Sequence, residues 1–98
     1  MKINKTMNGT ELVIALEGRL DTTTAPELEA ELNTALDNVD ALTLDFSKLD
    51  YISSAGLRVL LSAHKMMTGK GGMQVKNVNE IVREVFDVTG FSDILHIA

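Results

Sequence analysis

The stretch Leu12-Val13-Ile14-Ala15-Leu16 constrains the fold most, because an unbroken apolar run of strand length has few places to go except the middle of a sheet. It predicts a central strand buried on both faces, ended by Gly18. The apolar period then changes. Leu28, Leu32, Ala35 and Leu36 recur at helical spacing and predict an amphipathic helix from about Ala25 to Asn38. Leu42, Leu44 and Phe46 alternate with Thr43 and Asp45, as a strand does. A second helix, from about Ala55 to Thr68, presents Leu57, Leu60, Leu61 and His64 along one face, with Val59, Ala63 and Met66 widening it and Gly69 ending it. Residues 73–78 read as a strand. A third helix follows with Ile81, Val82, Val85 and Phe86 directed inward and Gly90 as its stop.

Ahead of these elements, Ile3 to Met7 reads as a short strand joined to the central one by an Asn8-Gly9 turn. The resulting order, β-β-α-β-α-β-α, requires crossover connections. It therefore predicts an α/β fold: one mainly parallel sheet with an antiparallel edge hairpin and helices packed on it. A chain of 98 residues suits a single domain, residues 1–98. Thr24 with Glu27, and Asn77 with Glu80, are expected to form capping boxes, with Pro26 tolerated in the first turn of its helix. The tail from Phe91 to Ala98 holds a short helical turn and an apolar anchor. In such sheets sites lie where strands hand over to helices. Two loops qualify, Gly18–Thr24 and Ser47–Gly56.

Composition removes several function classes. There is no Cys, hence no disulfide framework, thiolate metal site or cysteine nucleophile. The nine Lys and Arg are scattered against fourteen Asp and Glu, so no basic stripe awaits a nucleic-acid backbone. No apolar window approaches the ~18 residues of a membrane span, and the N-terminus lacks a signal-peptide core. The expected location is cytoplasmic, with neither nucleic acid nor membrane as partner. Gly69-Lys70-Gly71-Gly72 imitates a phosphate loop but follows a helix and precedes a strand, the reverse of the required order. His64 and His96 lack metal-ligand spacing, and Met66 and Met67 read as core and rim. No metal or cofactor is expected.

The second loop is specific. Leu44-Asp45-Phe46-Ser47-Lys48-Leu49-Asp50-Tyr51-Ile52-Ser53-Ser54-Ala55-Gly56-Leu57 resembles the signature of the STAS family, the anti-sigma-factor antagonists, and Gly18-Arg19-Leu20-Asp21 resembles the family's Gly-x-Leu-Asp motif. The resemblance extends through nearly the whole chain to Gly90-Phe91. It implies a non-enzymatic binding module. When unphosphorylated, such a module binds an anti-sigma factor, commonly also a serine kinase, and frees a sigma factor. Phosphorylation of the serine two residues before the motif glycine, here Ser54, abolishes binding, and a serine phosphatase restores it. The implied partner surface comprises Asp21, Thr22, Ser53, Ser54, Ala55, Gly56 and Arg58. Two positions depart from the family pattern: Ser53 stands where many members carry Asp, making it a rival acceptor, and Arg58 stands where many carry a small residue. The other reading within the family is a small-ligand-sensing regulatory domain. An enzyme is disfavoured, because Ser54 has no neighbouring base and no Gly-x-Ser-x-Gly elbow.

Residue chemistry is compatible with a switch. As a helix N-cap, Ser54 would satisfy an orphan N–H from an exposed loop. A phosphoryl group there would add about −1.5 to −2 charge at the positive end of a helix, altering the surface and sparing the fold. Asp21 suits a turn cap before Thr22-Thr23-Thr24. Arg58 opposes the helix dipole. It is expected either in an ion pair with Asp21 or Asp50, or as a contact for a partner or for the phosphoryl group. Glu29 is expected on the far face of the first helix, away from this surface.

Overall fold

The computed structural model describes residues 1–98. Strands β1 (Lys2–Asn8) and β2 (Glu11–Leu20) form the opening hairpin, followed by α1 (Ala25–Ala35), β3 (Ala41–Ile52), α2 (Ser54–Met67), β4 (Met73–Lys76) and α3 (Glu80–Thr89). The tail closes with a single 3-10 turn, Phe91–Asp93, and a two-residue strand β5, His96–Ile97. The sheet order is β1-β2-β3-β4-β5, antiparallel between β1 and β2 and parallel elsewhere. The α/β fold with its antiparallel edge is therefore as the alternation of periods requires. The anchor expected in the tail is a fifth strand.

Each parallel crossover steps the same way across the sheet, so right-handed connections stack all three helices on one face. The central run is accordingly buried on that face alone: Leu12, Ile14 and Leu16 join the core, whereas Val13 and Ala15 are half-buried. The opposite face is polar and cross-linked. Asn4 Nδ2 donates to Glu17 Oε2 (2.8 Å), Thr43 Oγ1 to Glu11 Oε2 (3.3 Å) and Gln74 Nε2 to Thr43 Oγ1 (3.2 Å). Buried Thr43 is thus satisfied from both sides.

Both strands that carry the candidate loops run further than their hydrophobic patterns imply. Gly18 does not end β2. At φ 105° it adopts a conformation that L side chains rarely enter, and the strand continues to Leu20 across register slips at Ala15/Glu17 and Gly18/Arg19. β3 likewise passes through Ser47 and Lys48 to Ile52, held by the pairs Gly18↔Leu49 and Leu20↔Ile52. Leu49 and Ile52 are core residues, and their burial outweighs the polar interruption. The expected Ser47–Gly56 loop contracts to Ser53, and the Gly18–Thr24 loop to Asp21–Thr24.

Local expectations shift elsewhere. The hairpin turn is Gly9-Thr10, since Asn8 still pairs with Glu11. Helix α3 is capped by Asn79, whose Oδ1 accepts from Val82 N (2.8 Å). Asn77, expected as the cap, takes φ 60° and donates through Nδ2 to Asp45 Oδ1 (3.0 Å). Thr24 forms no side-chain cap on α1. Within α3, Val82 and Phe86 are buried, Val85 is partly so and Ile81 is exposed. Met67, not Met66, enters the core beneath α2. No helix is long and apolar enough to cross a membrane.

Candidate partner-binding rim

Strands β2 and β3 end side by side, with Leu20 opposite Ile52. The Ser53 N–H donates to Leu20 O (2.9 Å), so the pairing continues one residue beyond the strands. This juxtaposition fixes Asp21 and Ser53 as neighbours on one rim.

From the β2 end, the chain folds into a turn organised by Asp21. Its Oδ1 accepts from Thr23 N (3.0 Å), Thr24 N (3.2 Å) and Thr23 Oγ1 (2.8 Å). The Thr23 hydroxyl foremost, with the backbone donors, holds the carboxyl below the ordinary Asp range. Thr24 is spent inside this turn. Its Oγ1 accepts from Asp21 N (2.8 Å) and donates to Arg19 O (2.8 Å), which is why it caps nothing on α1. Arg19 lies 4.5 Å above the Tyr51 ring and 3.8 Å from Asp21 Oδ2. The ion pair expected between Asp21 or Asp50 and Arg58 is absent; Arg19 is the cation beside Asp21.

From the β3 end, the two serines divide their tasks. Ser53, in extended conformation, is the N-cap residue of α2, and its carbonyl accepts from Leu57 N (3.0 Å). Its hydroxyl caps nothing: Oγ is buried without a hydrogen-bond partner. Ser54, expected as the cap, is instead the first helical residue and is exposed. The offset of one residue turns the Ser53 hydroxyl inward and leaves Ser54 in solvent, separating the two rival acceptors.

Gly56 explains why the helix can start so close to the strand ends. A Cβ there would lie 2.7 Å from Leu20 Cγ and 2.8 Å from Ile52 Cγ1. The first turn of α2 is therefore seated directly on the last core residues of β2 and β3. Ala55 is partly buried beside it.

Between the starts of α1 and α2 runs a groove of about 410 Å³. Thr22, Ala25 and Pro26 line one side, Ala55, Arg58 and Val59 the other. Glu29 also lines it, so this residue is not on a remote face. Its position was legible, since Glu29 follows Ala25 by four residues and shares its side of the helix. Asp21, Thr22, Ser54, Ala55 and Arg58 thus lie on the rim or its groove, whereas Gly56 and the Ser53 hydroxyl, expected on the partner surface, are buried beneath it, because the first turn of α2 packs directly on Leu20 and Ile52. A second cavity, about 460 Å³, opens at the opposite end of the strands beside Glu11, Thr43, Gln74, His64 and His96. It brings the two histidines to one hollow, but no cluster of three metal-ligating side chains forms anywhere in the chain.

An exposed serine, a hydrogen-bonded carboxylate and a groove thus share one rim of an α/β frame. The STAS domain family matches residues 2–98, and the chain belongs to it. The anti-sigma factor antagonist assigned as BtrV in Bordetella bronchiseptica is 40% identical over 89 residues, covering 89% of this chain and 77% of that protein. The anti-sigma F factor antagonist of Paenibacillus polymyxa is 30% identical, covering 88% and 76%. Among solved structures, an anti-sigma factor antagonist from Mycobacterium paratuberculosis superposes with a TM-score of 0.88 at 23% identity, covering 98% of this chain and 83% of the other. The unphosphorylated Bacillus antagonist SpoIIAA gives 0.77 at 22% identity, covering 99% and 87%. The likeness to these structures is one of fold. STAS anti-sigma factor antagonists are regulatory binding proteins, not enzymes.

Proposed function

We propose that this chain, as one STAS unit spanning residues 1–98, is a cytoplasmic anti-sigma-factor antagonist switched by phosphorylation at Ser54. Unphosphorylated, it binds an anti-sigma factor that is also its serine kinase, through Asp21, Thr22, Ser54, Ala55 and Arg58, with Ser53 and Gly56 seating that surface from beneath, and a sigma factor is released. The kinase transfers the γ-phosphoryl group of ATP. The Ser54 Oγ–P bond forms as the bond to ADP breaks, and the hydroxyl proton leaves to a base on the kinase. A serine phosphatase hydrolyses the ester and restores binding. Neither nucleic acid nor membrane is a partner in this reading.

The observation that carries the reading is the contrast between the paired serines: Ser54 is exposed and caps nothing, whereas the Ser53 Oγ is buried. A kinase can reach only the former without unseating α2. Incubation with the cognate kinase and ATP, followed by phosphopeptide mapping, is expected to give one phosphate at Ser54. Ser54→Ala should take none and bind constitutively. Modification confined to Ser53 would overturn the assignment. A second reading, a small-ligand-sensing STAS domain, draws on the cavity beside His64, whose Nδ1 is buried without a partner. A ligand-dependent rise in melting temperature that His64→Ala removes would favour it.

A further inference from the structure

We propose that Arg58 receives the phosphoryl group carried by Ser54, so that modification both adds negative charge to the rim and draws the only cation out of the α1–α2 groove. The inference rests on Ser54 being the acceptor and states how the modification acts.

Ser54 and Arg58 are both exposed and stand four residues apart in α2. At that spacing two side chains lie one above the other on the helix surface, with Cβ atoms about 5–6 Å apart. Helical side chains lean toward the N-terminus, so Arg58 covers the turn that begins at Ser54. The guanidinium is uncommitted. The ion pairs of the chain are Lys5–Glu31 and Arg19–Asp21, and neither involves Arg58. Arg19, the other cation of the rim, is held by Asp21 and the Tyr51 ring. A phosphoryl group offers three acceptor oxygens and a charge of about −1.5 to −2, which a planar guanidinium can meet with two parallel hydrogen bonds.

The groove reads the consequence. Arg58 and Glu29 are its charged lining residues. With Arg58 turned to the phosphoryl group, Glu29 remains as the sole charge there, and a partner acid that had paired with Arg58 faces an anionic groove. Loss of binding then has two contributions, one at Ser54 and one at the groove.

The test uses the full chain with phosphoserine installed at position 54 by chemical ligation or encoded incorporation, titrated by phosphorus NMR. The second ionisation of the phosphoserine, ordinarily about 6, should lie about 0.2–0.4 units lower in the parent than in Arg58→Gln. The gap should close at ~1 M salt, where the Debye length is about 3 Å. Arg58→Lys should fall between, because an ammonium lacks the fork. The Arg58 Nε–H resonance should also move on modification. Equal ionisation in the parent and Arg58→Gln would overturn the proposal. Unmodified Arg58→Gln should melt with the parent, which separates a charge effect from a structural one. Because no kinase is needed, failure of a kinase to modify Ser54 would sink the functional reading while leaving this titration to stand or fall separately.

Discussion

Gly56→Ala should be the most damaging conservative change on the rim. The added Cβ would sit 2.7 Å from Leu20 Cγ and 2.8 Å from Ile52 Cγ1, where carbon pairs settle at about 3.5–4.0 Å. Neither neighbour is a free side-chain tip, and the two residues are only 0% and 1% exposed, so the strain must move α2. Overpacking a filled core costs about 1–3 kcal/mol, and two simultaneous clashes argue for the upper end. Helix propensity works the other way, favouring Ala over Gly by about 1 kcal/mol. The net loss is about 2 kcal/mol, or roughly 8–16 °C in Tm for a domain of this size. Equilibrium urea unfolding followed by circular dichroism should show a lower midpoint at unchanged m. In a Leu20→Ala background the nearest clash disappears, so the same substitution should cost at least about 1 kcal/mol less, a coupling that a double-mutant cycle reads directly. Gly56→Ala as stable as the parent would mean that propensity governs position 56. The account of the glycine as a close-approach residue would then be wrong.

The other expectations follow from the same geometry. Ser54→Asp should fold as the parent does, a carboxylate being welcome at a helix start. Desolvating it against a partner should cost about 3–4 kcal/mol, weakening the anti-sigma factor complex roughly hundred- to thousand-fold by calorimetry; equal affinity would sink the electrostatic account. Ser53→Ala should be neutral or mildly stabilising, unlike the ~1 kcal/mol loss usual for a capping serine, because the hydroxyl is buried and bonds nothing. A full capping loss in urea unfolding would show that Oγ has a partner in solution. Asp21 has a lowered folded pKa, so its contribution to stability is complete above the ordinary value of 3.8 and is lost as pH falls through the depressed one. The stability gap between parent and Asp21→Asn should thus be flat near neutrality and shrink in acid. A gap that widened as pH fell would have the wrong sign.

What the sequence makes legible here is whatever burial enforces over several residues. The alternation of periods gives the order of elements, the crossovers give the parallel sheet, and neighbouring strand ends bring Asp21 and Ser54 to one rim. What escapes is decided by single residues. Ser53 and Ser54 have the same propensity for a cap, and only the backbone at Ser53, φ −102° and ψ 176°, assigns one to the boundary and the other to the helix. The continuation of β3 past Phe46 is hidden because Ser47 and Lys48 are both polar and exposed, while a register slip against β2 returns Leu49 and Ile52 to the core. Strand β5 is two residues long, too short to carry a period. In the proposed function these one-residue decisions are also the ones that matter. The inward members of the motif, Ser53 and Gly56, seat the helix on the strand ends, and that seating is what leaves Ser54 and Arg58 facing solvent with nothing else to bind. Phosphorylation at Ser54, as proposed, would therefore change partner binding through a charge on outward groups while the inward pair keeps the fold the same.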